Sequence, residues 1–194
     1  SNTFIGSLCG DNAQTVSYST LVGSDMSTGD TSSNNCNGLG FGINAVTGYT
    51  TIGITTSDIR AQHGVATWAT VSDQRYKKDI QDSTAGLSFI NALQPRTFKY
   101  KTLGELPETF RAYEADSTEV FKNTQTNHGF IAQEVKAAID ADSSIKDGFR
   151  LWDDRPDGSQ EVAEAALIPV LVKAIQEQNA LIEALTTRIT TLEG

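Results

Sequence analysis

The composition of this 194-residue chain changes near residue 71, and this break limits the possible fold more than any other feature. Residues 1–71 contain no Lys, Glu or Pro and hold 10 of the 16 glycines. Residues 72–194 hold 14 of the 15 basic residues, 20 of the 24 acidic residues and all four prolines. We therefore predict a mixed fold, with a β-rich stem over 1–71 followed by an α+β domain over 72–194.

The first part has the composition of a β structure with many turns. Between Gly40 and Ile54, apolar residues alternate with small or polar ones, and glycines separate the short runs. Thr, Val, Ile and Tyr favour pleated surfaces, but so short and glycine-rich a segment has difficulty burying a core alone. Strands shared among several chains would solve this problem. We predict an intertwined trimeric β stem, with a triple β-helix as one form and a small β-sandwich fragment as the alternative.

The second part alternates helical and strand patterns. Residues 83–93 predict a short helix that ends before a proline, and residues 97–101 alternate as a half-buried strand. The polar segment 102–126 predicts a loop. A second helix is expected to follow Gly129 and to run through Ile139.

Residues 162–193 predict one long helix, with a coiled coil over about 165–193. Its seam repeats with alternating steps of four and three residues: Leu171, Ile175, Gln178, Ile182, Leu185, Ile189 and Leu192. This spacing favours self-association, and the polar Gln178 can fix the register at some cost in stability. The alternative is an amphipathic helix that packs on its own domain.

Charge and hydropathy exclude several functions. With a formal net charge of −9, nucleic-acid binding is not expected, because the phosphate backbone is also negative. No apolar run approaches the roughly 20 residues that span a bilayer, so no membrane insertion is expected. No ligand cluster indicates a metal and no phosphate-binding loop indicates a cofactor, so none is predicted. Cys9 and Cys36 are expected to be unpaired thiols, with a disulfide or an intersubunit bridge as the alternative.

The composition break coincides with a short motif. Four residues form the pattern Ser-Asp-x-Arg-x-Lys: Ser72, Asp73, Arg75 and Lys77. Two further segments follow, Gly-Phe-Ile-Ala-Gln-Glu-Val at 129–135 and Leu-Ile-Pro-x-Leu-Val-x-Ala-Ile-Gln-Glu at 167–177. With these segments, residues 72–194 resemble the C-terminal intramolecular chaperone domains of phage endosialidase tailspikes, tail fibres and neck appendages. Those domains are also classed as self-cleaving serine peptidases, the peptidase S74 family.

The resemblance implies a homotrimer whose chaperone domain helps the preceding stem to fold and then releases itself. The chain's own stem is therefore the expected folding client and substrate, and the expected cleavage site is the bond between Val71 and Ser72. The resemblance also implies Ser72 as the nucleophile and Lys77 as the base. Asp73 and Arg75 would support the motif. The mature fibre or tailspike would belong to the virion after assembly in the host cytoplasm, and it could contact a receptor on the host surface.

A serine–lysine pair is chemically suited to a single cleavage. A serine hydroxyl needs a base to take its proton, and a lysine serves as that base only when neutral. Because Ser72 follows the bond to be cut, its Oγ can attack the Val71 carbonyl in an N-to-O acyl shift. Attack across a subunit interface is the second route, and the sequence leaves both open. Lys77 follows Ser72 by five positions, so extended or turn structure is expected at Ser72 rather than a shared helix.

Two other functions compete with self-cleavage. In one, the same domain trimerises and stays attached as a cap at the tip of a viral fibre. In the other, the stem is a receptor-binding module that contacts a surface glycan or protein. Tyr18, Tyr49 and Trp68 could stack on sugars, although aromatic side chains in a β stem more often belong to a core.

Overall fold

The computed structural model describes residues 1–143, 145 and 149–194. The chain divides into two compact units, Ser1–Ile80 and Gln81–Gly194. The fold is mixed, as predicted, with a β-solenoid-like sheet in the first unit and a long helix at the end of the second. The boundary between the compact units follows Ile80, whereas the composition break follows Val71. The predicted extent of the stem and of the chaperone domain stays a prediction.

The first unit is built from short strands. They are β1 (Thr3–Ile5), β2 (Thr20–Ser24), β3 (Ser27–Thr28), β4 (Asn37–Phe41), β5 (Asn44–Ala45), β6 (Tyr49–Ile54), β7 (Ser57–Gln62) and β8 (Ala69–Thr70). Strands β1, β2, β4 and β6 pair in parallel, and β7 and β8 extend the same sheet antiparallel. Strands β3 and β5 form a second parallel pair. The chain thus returns to the same sheet after each coil, as in a solenoid.

A repeat in the sequence underlies these coils. Thr3 pairs with Thr20, Thr20 with Asn37, and Asn37 with Thr50, so successive coils are 17, 17 and 13 residues long. In each coil, a glycine follows this paired residue by three positions. Together these glycines form the glycine ladder: Gly6, Gly23, Gly40 and Gly53. All four have φ between 123° and 152°. The coils stack so closely that a Cβ on Gly40 would lie 1.8 Å from the carbonyl oxygen of Gly53. Only glycine permits this stacking.

The solenoid buries a small apolar core of its own. Its buried residues are Leu21, Met26, Cys36, Ile43 and Ala45. This differs from the predicted intertwined stem, because the strands pair within one chain and each coil covers the inner side chains of the next. The β-rich composition was interpreted correctly, but the sharing of strands between chains was not needed to bury these side chains. Cys9 and Cys36 are free thiols in this structure.

The second unit combines short helices with two-stranded sheets and ends in the long helix. Its elements are α1 (Leu87–Ala92), β9 (Arg96–Phe98), β10 (Asn127–Gly129), α2 (Ala132–Ala141), β11 (Trp152–Asp154), β12 (Gln160–Val162) and α3 (Leu167–Glu193). Strands β9 and β10 pair antiparallel, and β11 and β12 form a hairpin. The core is centred on Phe89, Val135, Ile139 and Leu151. The predicted helices and strand are present with shifted bounds: α1 is shorter than predicted, β9 begins one residue earlier and ends earlier, and α2 continues two residues beyond Ile139.

The long helix α3 has a packed beginning and an exposed remainder. Leu167, Val170 and Ala174 are buried, because their spacing places them on one face against the core. The predicted seam is exposed instead, from 43% at Leu171 to 84% at Leu192. The helix itself is confirmed, and its assembly into a coiled coil stays a prediction. Among the described residues, no helix combines the length and the hydropathy that crossing a membrane requires.

Candidate functional site

Ser72 and Lys77 lie close together directly after β8, within the first compact unit. Lys77 Nζ donates a hydrogen bond to Ser72 Oγ over 2.7 Å. Between them, Gln74–Tyr76 forms a single 3-10 turn, which folds the chain back far enough for the two side chains to meet. Ser72 lies outside regular structure, as expected. Both side chains are exposed in the single chain.

Asp73 begins the turn and is held by Arg75. Asp73 Oδ1 accepts hydrogen bonds from the Arg75 backbone N–H at 2.8 Å and from Arg75 Nε at 3.0 Å, and Oδ2 accepts one from Nη2 at 2.7 Å. These bonds lower the pKa of Asp73, with a smaller contribution from the charge of Lys77, and they raise the pKa of Arg75. Arg75 therefore occupies both carboxylate oxygens of Asp73, while Lys77 is directed to Ser72.

The geometry brings the Ser72 hydroxyl and the Lys77 amine together and leaves both exposed to water. The serine hydroxyl is in hydrogen-bond reach of an amine, and its own residue contributes the nitrogen of the Val71–Ser72 bond. A neutral lysine is favoured by burial. Both side chains are exposed, so neither has that burial in the single chain.

The second motif segment, residues 129–135, serves packing and ion pairing. It covers the end of β10 and the start of α2. Glu134 accepts two hydrogen bonds from Arg96, 2.7 Å to Nη2 and 3.0 Å to Nε. This pair lowers the pKa of Glu134 and raises that of Arg96. Val135 is buried in the core. The segment thus joins α2 to β9.

The third motif segment, residues 167–177, packs the beginning of α3 against the rest of the second unit. The Leu87 backbone N–H, at the start of α1, donates a hydrogen bond to Glu177 Oε2 over 2.8 Å. A Cβ on Gly86 would lie 2.4 Å from the same oxygen, so a glycine makes room for this approach. The carboxylate therefore satisfies one of the free N–H groups at the beginning of α1.

Sequence reasoning missed Gly86 and Arg96 as partners of the motif residues. Glycine is accepted at the N-cap position, so Gly86 ahead of the apolar run was compatible with a helix that begins at Leu87. No comparable signal existed for Arg96, which lies 38 positions from Glu134. Within the part of the chain that the structure describes, no group of three or more His, Cys, Asp or Glu side chains could hold a metal ion.

Comparison with known families gives a match that starts at the first motif residue. Residues 72–143 match the family model Peptidase_S74, chaperone of endosialidase. The predicted resemblance is confirmed. The matched region includes the second motif segment and stops before α3. The family indicates an intramolecular chaperone role and, at a coarse level, a domain of the self-cleaving serine peptidase type. No curated protein and no solved structure matches the chain.

Proposed function

We propose that residues 72–194 are an intramolecular chaperone that trimerises, assists the folding of the preceding stem, and then releases itself by cutting between Val71 and Ser72. The hydrogen bond of 2.7 Å between Lys77 Nζ and Ser72 Oγ is the observation that carries the cleavage proposal. The family match, which begins at the same serine, supports the chaperone role. The exposed seam of α3 supports assembly of several copies.

In the proposed reaction, Ser72 Oγ attacks the carbonyl carbon of Val71 while the neutral Lys77 amine takes the hydroxyl proton. The C–N bond between Val71 and Ser72 then breaks, and Lys77 passes the proton to the Ser72 nitrogen. An ester now joins the Val71 carbonyl to Ser72 Oγ. Water adds to the ester carbon, so that Val71 leaves as a carboxylate with its proton lost to solvent and Ser72 regains its hydroxyl.

The exposure of this pair gives a physical reason to couple cleavage to assembly. A lysine in water keeps its proton at neutral pH and is a poor base, whereas a lysine shielded from water loses it more readily. Association of several copies is an event that can shield Ser72 and Lys77. Cleavage that waits for assembly would release the chaperone only after the stem has folded.

The same proposal places the mature stem in a phage tail fibre or tailspike, on the virion, with a host surface receptor as its possible external partner. The family description, which names endosialidase, supports this context. The chain's own stem is then both the folding client and the substrate of the chaperone.

The test is the intact mass of the full chain, followed over time after synthesis. We expect the wild type to give two products separated at Val71–Ser72. Ser72→Ala and Lys77→Ala should remain at full length, with cleavage slowed by at least roughly 100-fold, since a nucleophile or its base is lost. Lys78→Ala is the matched control, because it removes a neighbouring exposed lysine and should leave cleavage unchanged.

A different pattern of masses would refute the cleavage mechanism. A wild type that assembles and yet keeps its full mass at all times rules out self-cleavage and makes a permanent trimerising cap the better description. Cleavage that persists in Lys77→Ala but not in Ser72→Ala would retain the nucleophile and reject the base.

A further inference from the structure

The outer face of the solenoid sheet carries a continuous row of apolar side chains, here called the apolar column. In strand register it consists of Ile5, Val22, Leu39, Ile52 and Ile59. Ile5 is 57% exposed and Leu39 is 52% exposed. Two positions further along the strands, Phe41 and Ile54 are also paired and exposed. One apolar side chain from every coil therefore faces outward at the same place.

The alternation of side chains along the strands explains the buried core, but it does not require the outward positions to be apolar. In β2, β4 and β6, the position before each column residue is the buried one, as at Leu21 and Thr51. Side chains at the outward positions of a sheet with one solvated face are usually polar. Contiguous exposed apolar surface on a protein indicates a site of interaction.

The surroundings of the column favour an uncharged partner. Strands β1, β2, β4 and β6, which all lie within the described residues, carry no charged side chain, whereas β7, which holds Ile59 at the end of the column, carries Asp58 and Arg60. The neighbouring row is formed by polar but uncharged residues: Thr3, Thr20, Asn37 and Thr50. Along β1, β2, β4 and β6, an acidic glycan or a charged peptide would find no counter-charge on the strands. An identical surface on another copy is neutral and apolar in the same places, so the two are complementary.

The size of the column also favours another copy over an unrelated protein. Four strand spacings give it a length of roughly 19 Å, with a width of roughly 7 Å for two positions along a strand. A stable interface between independent proteins buries about 800 Å² on each partner, which is several times more. The column can therefore hold a partner only when that partner is already kept nearby. The exposed seam of α3 supplies such a link between copies of the chain.

We propose that the apolar column packs against the same column on further copies of this chain. This inference rests on the proposed function, because the α3 seam that keeps the copies together is part of it. The stem then consists of complete solenoids lying side by side. It differs in this respect from the intertwined stem that composition alone suggested.

Disulfide formation between copies tests the proposal in the full chain. The background carries Cys9→Ser, to remove the half-buried thiol, and Ser72→Ala, to keep the stem attached. Ile5→Cys, Leu39→Cys and Ile52→Cys are introduced one at a time. Each variant protein is oxidised, and linked dimers are separated from monomers without reductant. Asn44→Cys is the matched control, since Asn44 is exposed on β5 in the other sheet. We expect a linked dimer from at least one column variant and none from the control, because sulfurs join only where Cβ atoms approach within roughly 4 Å.

Native mass spectrometry of the same samples separates the two ways in which the proposal can fail. If the chain is an oligomer but no column variant forms a linked dimer, the column proposal is wrong and the proposed chaperone assembly stands. If the control is linked as readily as the column variants, the contact is unspecific and the proposal is again wrong. If the chain is monomeric, the trimeric chaperone itself is refuted, and the column proposal falls with it.

Discussion

The two compact units of this chain reach a stable fold by different means. The first repeats one short coil, carries few charges, and depends on glycine carbonyl and Cα atoms stacked in a ladder. The second is rich in charges and holds its pieces together through an apolar core and through polar contacts between distant residues, such as Arg96 with Glu134. The stability of the first unit is thus sensitive to any side-chain atom added to the glycine ladder. The stability of the second unit is sensitive to the loss of one partner from a specific pair.

The largest expected effect comes from adding a single methyl group to the glycine ladder. Gly40→Ala places a Cβ 1.8 Å from the Gly53 carbonyl oxygen at a φ of 144°. Backbone strain at this φ and the overlap with the carbonyl oxygen should together lower the free energy of unfolding by about 3 kcal/mol or more. Hydrogen exchange measured by mass spectrometry should show lost protection in peptides of the first unit, with peptides of the second unit unchanged.

Gly48→Ala is the matched control for that experiment. It also has a positive φ, 77°, but nothing lies within 4 Å of the added Cβ. It should lower the free energy of unfolding by about 1 kcal/mol, because only the backbone conformation is unfavourable for alanine. If both substitutions had the same effect, stacking of the coils would not explain the glycine ladder.

A smaller effect is expected from removing one partner of a long-range contact in the second unit. Glu177→Ala leaves the Leu87 N–H without its acceptor and should lower the unfolding free energy by about 1–2 kcal/mol. Urea unfolding followed by Trp152 fluorescence measures this, in a Trp68→Phe background so that only the second unit reports. Glu183→Ala, an exposed residue on the same helix, should change the stability by less than about 0.5 kcal/mol.

The smallest expected effect is a pH dependence at the turn between β11 and β12. Hydrogen bonds from the Ser159 hydroxyl and from the backbone N–H groups of Arg111 and Ser159 lower the pKa of Asp157 to about 2. Since the folded pKa lies below the unfolded value, the ionised carboxylate stabilises the fold above about pH 4. This contribution is lost as the pH falls towards about 2. Asp157 is only half-buried, so water still screens these interactions and the change should be modest.

Titration of Trp152 fluorescence in the Trp68→Phe chain measures this effect. Asp157→Asn should remove the part of the acid transition that belongs to Asp157 and leave a flatter profile. Profiles that coincide for the two chains would mean that the turn does not depend on this carboxylate.

Local patterns in the sequence predicted several features well. The mixed fold, the long helix and the family resemblance all follow from composition, periodicity or short motifs, which require only neighbouring residues. The solenoid repeat was also present in the sequence, as Thr3-Phe4-Ile5-Gly6 and Thr20-Leu21-Val22-Gly23 show. It was missed because the coils differ in length, which hides the period.

Sequence reasoning predicted Ser72 and Lys77 as a pair through the resemblance, and their roles stay a prediction. Their distance could not be derived from the spacing, because five positions correspond to many separations in an irregular segment. The 3-10 turn at Gln74–Tyr76 and the hydrogen bonds between Asp73 and Arg75 decide it.

The sequence by itself determined where the composition changes, which residues carry the motif, and which apolar positions recur along α3. The tertiary structure alone decided that the strands pair within one chain, that Glu177 reaches α1, and that the apolar column faces outward. The physical reason is the range of the interactions. Periodicity and motifs depend on residues that are close in the chain, whereas strand register and long-range hydrogen bonds depend on the path that the whole chain takes through space.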